Sequence, residues 1–427
     1  MNFDGGCARA AAALAIVIGV CASLGPSSRT IASSEAPSSE TRALWVQRGS
    51  LASPQSIATL VKSAREHGFN TLLVQVRGRG DAYYLGGIEP RATELLRQAD
   101  DFDPLATVLD AGHAAGLRIH AWINVNLISS AAELPSAREH VIYRHPAWLM
   151  VPRDIGQQLA TMEPDSPGYV GTLARWTRAQ SVSIEGLYLS PIIPGAADYT
   201  DSIVRTLARR YPLDGIHFDY ARYPNDRFDY SRLAIREFRA SVRSHLAEST
   251  RRTLDTQEQT DLFAYPDSLP DQWREFRVAR MTELISRLRA TVKRERPATL
   301  LSVAVVPDAR EAETHRLQNW GAWVQAGLVD AVCPMAYATE ASHFAEQIAG
   351  ARAAAGSRPV WAGIGSYRLS PQETIENIQT ARRLGANGIV LFSYDSLITP
   401  RQSASDYLSV VGRAAFTPAA SSSAGSR

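Results

Sequence analysis

The sequence is poor in cysteine, in single-sign charge and in long apolar runs, and each scarcity excludes a class of protein. Three cysteines in 427 residues cannot build a disulfide scaffold. Two of them, Cys7 and Cys21, fall in a segment expected to be removed, which leaves Cys333 alone on a strand as an inert buried thiol. Lysine and arginine total 45 against 43 acidic residues, a net charge of +2. That balance argues against nucleic acid as the main partner. The arginine-rich helical stretches at Ser231–His245 and Arg274–Arg296 also carry acids and read as solvated faces. The one extended apolar run, Ala10–Leu24, is too short to span a bilayer comfortably. No HxH or HExxH spacing, GxxxxGK[ST] or GxSxG occurs, and Gly78-Arg79-Gly80 lacks the rest of a dinucleotide fingerprint. No metal and no cofactor is expected.

The run that is present has a place. Arg9 precedes it, and Val20-Cys21-Ala22 offers small residues for cleavage after Ala22, so residues 1–22 read as a signal peptide. An uncleaved membrane anchor is the alternative; Val20 is too bulky for a lipoprotein site at Cys21. The mature chain is expected to be secreted or periplasmic, without stable membrane insertion. Residues 23–41, rich in Ser, Ala and Pro, read as a flexible linker, and residues 413–427 as a disordered tail.

Hydrophobic residues at 45% and charged residues at 21% leave a globular body at 42–412. Eight short apolar runs fit strands buried on both faces: Ala43–Gln47, Thr71–Arg77, Arg118–Asn124, Gly215–Tyr220, Leu300–Val306, Ala331–Tyr337, Val360–Gly365 and Gly388–Tyr394. Helical patterns alternate with them at Pro54–His67, Pro104–Ala115, Ser202–Arg210, Gln272–Arg294, Ser342–Ala354 and Pro371–Leu384. Three of these end in glycine at a C-cap position, Gly68, Gly116 and Gly385. The alternation predicts an α/β protein, a (β/α)8 TIM barrel. Two connections, about Val125–Thr200 after the third strand and about Pro224–Leu269 after the fourth, are long enough to be decorations on the C-terminal face, where barrel active sites form.

The strand ends are polar where a buried core should not be. With a period of two, Gln75 and Arg77 share a face, as do His120, Trp122 and Asn124, and His217 and Asp219. Met335-Ala336-Tyr337 and Ser393-Tyr394-Asp395 end two later strands. Charged groups at such places need a partner or a purpose. Asp219 is the best-placed fourth-strand carboxylate; the bland alternative is an ion pair with Arg77 or Arg222. His120 and His217 read as barrel fillers or substrate contacts rather than metal ligands. Trp122, Trp361, Tyr337 and Tyr394 are either core or flat platforms for sugar rings. Trp148 and Trp176, in the long third connection, are expected to anchor it.

The segments TLLVQVRGRGDAYY, IHAWINVN followed by HPAWL, DGIHFDYARYP, WAGIGSY and GIVLFSYDS, in this order from Leu44 to about Leu397, resemble glycosyl-hydrolase-like family 10, bacterial barrel proteins that include peptidoglycan-glycan hydrolases. The resemblance implies an envelope-located glycosidase acting on glycans with N-acetylated amino sugars. Its motifs carry over to Arg77 and Asp81 after the second strand, Asn124 after the third, and Asp219, Arg222 and Tyr223 after the fourth. Many relatives have a second aspartate where this chain has Tyr220, a subgroup difference. A more distant similarity, to family 18 chitinases, aligns Asp-Gly-x-Asp-x-Asp-x-Glu with Asp214 to Ala221 and puts alanine at the acid. That acid is therefore not available here.

Glycoside hydrolysis ordinarily uses two carboxylates, about 5 Å apart for retention and about 6.5–9.5 Å for inversion. The expected set is Asp219 with Asp81 or Asp395 as partner, Glu340 ranking behind. Gln75, Arg77, His120, Trp122, Asn124, His217, Arg222, Tyr223, Tyr337, Trp361 and Tyr394 are the candidate substrate contacts. Assistance by the substrate's own N-acetyl group would replace a protein nucleophile. The expected partner is a polysaccharide of the cell envelope, peptidoglycan glycan strands first and a partly deacetylated exopolysaccharide second. The rival from another class is a silent glycan-binding barrel.

Overall fold

A computed structural model of the chain describes residues 40–399 and 406–416. The expected signal peptide, nearly all of the linker and the tail from Thr417 lie outside the described residues. Eight strands pair in sequence order, all parallel, and close into a barrel: β1 (Thr41–Val46), β2 (Thr71–Arg77), β3 (Arg118–Asn124), β4 (Gly215–Asp219), β5 (Leu300–Val305), β6 (Ala331–Ala336), β7 (Trp361–Ile364) and β8 (Gly388–Phe392). The (β/α)8 expectation holds, with strand ends displaced by at most two residues. Alternation sorts the side chains. Leu44, Leu72, Ile119, Ile216, Leu301 and Ile389 point outward and join the core beneath the helices. Trp45, Leu73, Trp122, Cys333, Trp361 and Val390 fill the barrel itself.

Local chemistry sets the helix ends. Pro54–Glu66 and Pro371–Arg383 open on serine capping boxes, Ser53 and Ser370, with proline in the first turn. Gly68, Gly116 and Gly385 adopt φ of 80°, 72° and 81°, the left-handed turn foreseen at these helix ends. One helix begins two turns earlier than its pattern indicates, at Pro194 rather than Ser202, because proline again serves as the starter. The body also reaches further at both ends than 42–412. Glu40 bonds Arg382 through both carboxylate oxygens, Thr41 opens β1, and Phe416 packs edge-on against Phe69.

The two long connections do carry extra elements. After β3 come short helices at Val141–Arg144, Arg153–Ala160 and Pro167–Ala179; after β4, at Arg232–Val242, Glu248–Gln257 and Ala264–Ser268. They build a second core together, in which Ile128, Leu159 and Leu173 meet Tyr230, Phe238 and Trp273. Buried Asp229 stitches them, accepting from Val151 N at 2.8 Å and Ser231 N at 2.9 Å. Trp148, stacked on His145 with centroids 3.7 Å apart, and Trp176, edge-on to Phe228, pack among these elements. No helix among the described residues is long and apolar enough to cross a membrane.

Candidate active site

A cleft of about 650 Å³ opens at the C-terminal ends of the strands. Trp45, Trp122, Tyr337 and Phe392 line it as one aromatic group, Tyr337 stacked on Phe392 at 5.5 Å and both tryptophans edge-on to Phe392 at 5.8 and 6.4 Å. Such faces suit the C–H side of a pyranose ring. Asp219 ends β4 at the base of the cleft, beside Asn124 in the β3–β4 register. Its Oδ2 accepts the Trp122 indole N–H at 3.2 Å and its Oδ1 the Tyr220 N–H at 2.7 Å, with Arg222 Nη1 at 3.6 Å from Oδ1. Burial pushes the Asp219 carboxyl above the ordinary aspartate range, against the opposing pull of Arg222 and the two N–H donors.

The Tyr220 bond depends on an unusual backbone. Tyr220 has φ of 48°, a left-handed conformation that costs a non-glycine residue about 1–2 kcal/mol. This fold-back aims the N–H at the carboxylate of the preceding residue. The Arg222 guanidinium lies 4.2 Å from the Tyr220 ring centroid. Strain held at a cleft-lining residue is the pattern of a functional site.

Glu185, which the sequence pattern did not single out, supplies a second carboxylate. It accepts the Tyr188 hydroxyl at 2.6 Å and Arg222 Nη2 at 3.3 Å, and its side chain is 36% exposed in the cleft. One guanidinium thus touches both acids, so their nearest oxygens are no more than about 9 Å apart, below the upper end of the range that catalytic pairs use. Residues 185–189 are laid along the extension of β3 by Ala131 N to Glu185 O, Leu187 N to Ser129 Oγ and Leu189 N to Asn126 O. Gly186 permits this approach; a Cβ there would stand 1.9 Å from Ser129 O.

Of the expected residues, the cleft lining brings together Gln75, Trp122, Asn124, Asp219, Arg222, Tyr337 and Asp395. The others lie elsewhere. Arg77 is fully buried, bonded through Nε and Nη2 to Glu89 and through Nη1 to the carbonyls of Asn124 and Val125. A register shift between Gln75 and Arg77 breaks the alternation on which its expected direction rested. Nor does Arg77 pair with Asp219. Asp81 is outside the cleft lining, gripped by Arg48 at 2.8 and 2.9 Å. Glu340 is an exposed helix-flanking residue. His120 and His217 fill the barrel below the cleft; His217 accepts from Trp45 Nε1 at 3.0 Å and faces Ser302 Oγ at 2.9 Å. Burial lowers both imidazoles to about 3, so they are neutral. Trp361 packs with His120, Tyr223 is buried with its hydroxyl at Arg277 O, and Tyr394 points into the outer core. Asp395 lines the rim with Oδ2 held by Gln47 N at 2.6 Å and Oδ1 by the Ser50 hydroxyl at 2.7 Å, burial raising its pKa.

A closed parallel barrel with aromatic walls and a buried strand-end carboxyl places the chain among glycoside-hydrolase-like barrels. Residues 40–364 match the glycosyl hydrolase-like 10 family, and the chain belongs to it. Glycosyl hydrolase DigH of Escherichia coli (strain K12) is 28% identical over 168 residues, 38% of this chain and 34% of that protein. Glycosyl hydrolase YngK of Bacillus subtilis (strain 168) is 26% identical over 175 residues, 40% of this chain and 28% of that one. The matched stretch thus spans about a third of each relative. Among solved structures, the PgaB (BpsB) glycoside hydrolase domain from Bordetella bronchiseptica superposes with a TM-score of 0.59 at 16% identity, covering 87% of this chain and 99% of that one. The GH42 β-galactosidase Gan42B from G. stearothermophilus gives 0.56 at 12% identity, covering 88% and 56%. These likenesses show the fold.

Proposed function

We propose that the chain is a glycoside hydrolase of the cell envelope, secreted or periplasmic, that cleaves an amino-sugar polysaccharide, peptidoglycan glycan strands first among them. The observation that carries this reading is the pair of carboxylates on one guanidinium, Asp219 dry and Glu185 wet, beside a wall of aromatic rings. In the reaction, Asp219 gives its proton to the glycosidic oxygen as the C1–O bond breaks. Glu185 takes a proton from the water that attacks C1 from the other side. A raised carboxyl is the direction a general acid needs, and each such proton transfer contributes about 10²–10⁴ in rate. Arg222 sits between the two acids and stabilises whichever is ionised.

The charge of the cleft bears on the substrate. Asp219, Glu185, Asp395 and Glu94 face Arg48, Arg79 and Arg222, an almost even balance. A deacetylated, cationic polymer calls for a strongly acidic cleft, so the balance favours an acetylated glycan. The presence of a second carboxylate weighs against a silent binding barrel.

The test incubates the purified chain and Asp219→Asn with peptide-free peptidoglycan glycan strands and reads fragments by mass spectrometry. Cleavage by the parent and none by a folded variant is the expected result. Equal cleavage by both refutes the role of Asp219, and strand binding without products from either favours the silent barrel.

A further inference from the structure

A second cavity of about 670 Å³ adjoins the cleft and shares Arg48, Arg79, Glu94, Ser129 and Ser130 with it. Through these shared residues the two are continuous, with Asp219 in the cleft and not in the far arm. The far arm has a different chemistry. It is lined by no Phe, Tyr or Trp; Leu96, 67% exposed, and Leu134 supply apolar surface, and four arginines converge on it, Arg48, Arg79, Arg91 and Arg97. Arg48 is spent on Asp81 and Glu94. Among the described residues the guanidiniums of Arg79 and Arg97 have no bonded partner, and Arg91 holds only the Ala99 carbonyl, at 3.0 Å. Glu133 is the one acid of the arm outside the Arg48 pairs.

Arg79 stands where the two cavities join, and its backbone is clamped. Its N–H donates to Asp81 Oδ1 at 3.2 Å, and its carbonyl accepts from His140 Nε2 at 2.8 Å. His140 is committed to that donation, since its Nδ1 accepts the Ile142 N–H at 3.2 Å. The carbonyl of Gly78 accepts from Asn124 Nδ2 at 2.8 Å, and Gly80, at φ 68°, lies so near His140 that a Cβ would stand 2.5 Å from Nε2. A loop fixed from three sides thus presents one free guanidinium to the groove. A rigid base with an unpaired fork is the arrangement that binds a carboxylate with little ordering cost.

We propose that this arm is an anion subsite in which Arg79, with Arg97 beside it, binds a carboxylate borne by a sugar of the glycan beyond the cleavage point. The lactyl carboxylates on alternate sugars of peptidoglycan strands have that chemistry. The inference rests on the amino-sugar reading of the cleft and narrows its substrate to glycans with acidic substituents.

Binding is measured with the full Asp219→Asn chain, by tryptophan fluorescence and calorimetry. The probes are peptide-free strands and the same strands with their carboxylates reduced to alcohols. The acidic strands should bind about tenfold tighter at low salt, with the difference lost in Arg79→Gln/Arg97→Gln and diminished as salt is raised. Neither side chain bonds within the described residues, so the double variant should keep its thermal midpoint. Equal affinity for the two probes, no binding of either, or a preference that survives the double variant overturns the subsite. Hydrolysis by the parent is scored separately. A parent that cleaves both probes at one rate keeps the hydrolase and loses the subsite. Arginine-dependent preference without cleavage does the reverse.

Discussion

The indole N–H of Trp122 reaches Asp219 Oδ2 across 3.2 Å, a bond between side chains two positions out of step on neighbouring strands, since Trp122 is opposite His217 and Asp219 opposite Asn124. It joins an aromatic wall of the cleft to the carboxyl beneath it. The donor stabilises the charged form of Asp219, partly offsetting the upward push of burial. Trp122→Phe keeps a ring and removes the N–H, so the Asp219 pKa should climb further. For a group that acts as an acid, this moves the basic limb of the kcat/KM profile to higher pH. His120 and His217, lowered by burial to about 3, contribute no limb between pH 5 and 8. A profile recorded from pH 4 to 9 that is unmoved in Trp122→Phe would remove Asp219 from that role.

The second carboxylate is tested at Glu185. Glu185→Gln keeps the shape and an acceptor oxygen for Arg222, turns the Tyr188 hydroxyl from donor to acceptor, and cannot take a proton. The turnover number should fall about 10²–10⁴-fold with little change in KM. In Glu185→Ala, added formate or azide should restore part of the rate, which a purely structural role would not allow. Full activity in Glu185→Gln would return the partner's role to Asp395 or to the substrate's N-acetyl group.

Sequence pattern reached the barrel and part of the candidate cleft for one reason: both follow from strict alternation. Strands buried on two faces are short apolar runs, and their polar ends point where a period of two says, which located Gln75, Trp122, Asn124 and Asp219. Arg77 was misdirected because a single register shift after Gln75 turns it toward Glu89. That Asp81 is held by Arg48, outside the cleft lining, could not be read from pattern because Arg48 comes from beyond β1, a contact with no local signature. Glu185 lay beyond pattern altogether, in a connection whose path is set by bonds to residues about 55 positions earlier, such as Ala131 N to Glu185 O.

Asp229 should leave a mark on stability. Burial pushes its carboxyl to about 6, against an unfolded value of about 3.9. The folded state therefore binds this proton more tightly, so its contribution is complete below about pH 4 and is lost as pH rises through 6. At pH 8 the buried charge costs about 3 kcal/mol relative to pH 4. Asp229→Asn keeps Oδ1 for the Val151 and Ser231 N–H groups and can donate its amide to the Ser231 hydroxyl. Urea unfolding at pH 4 and pH 8 should show the stability difference moving toward the variant at the higher pH, by up to about 3 kcal/mol. A difference that stays constant with pH would mean that the carboxyl titrates normally.

Gly186 links that local geometry to catalysis. A methyl at this position would stand 1.9 Å from the Ser129 carbonyl oxygen and 2.7 Å from its carbon, both backbone atoms, so the 185–189 segment must move away from the extension of β3. The barrel strands do not depend on that segment, whereas the position of Glu185 does. Gly186→Ala should therefore lower the rate at least about tenfold, and it should lower the thermal midpoint as well, because Leu187, Tyr188 and Leu189 in the displaced segment are buried. The decisive measurement is the double variant with Glu185→Gln. If Gly186 acts only by placing the carboxylate, the double variant should be no slower than Glu185→Gln alone, because residues that act as a unit are not additive. Additive losses would mean that the segment contributes through something other than Glu185.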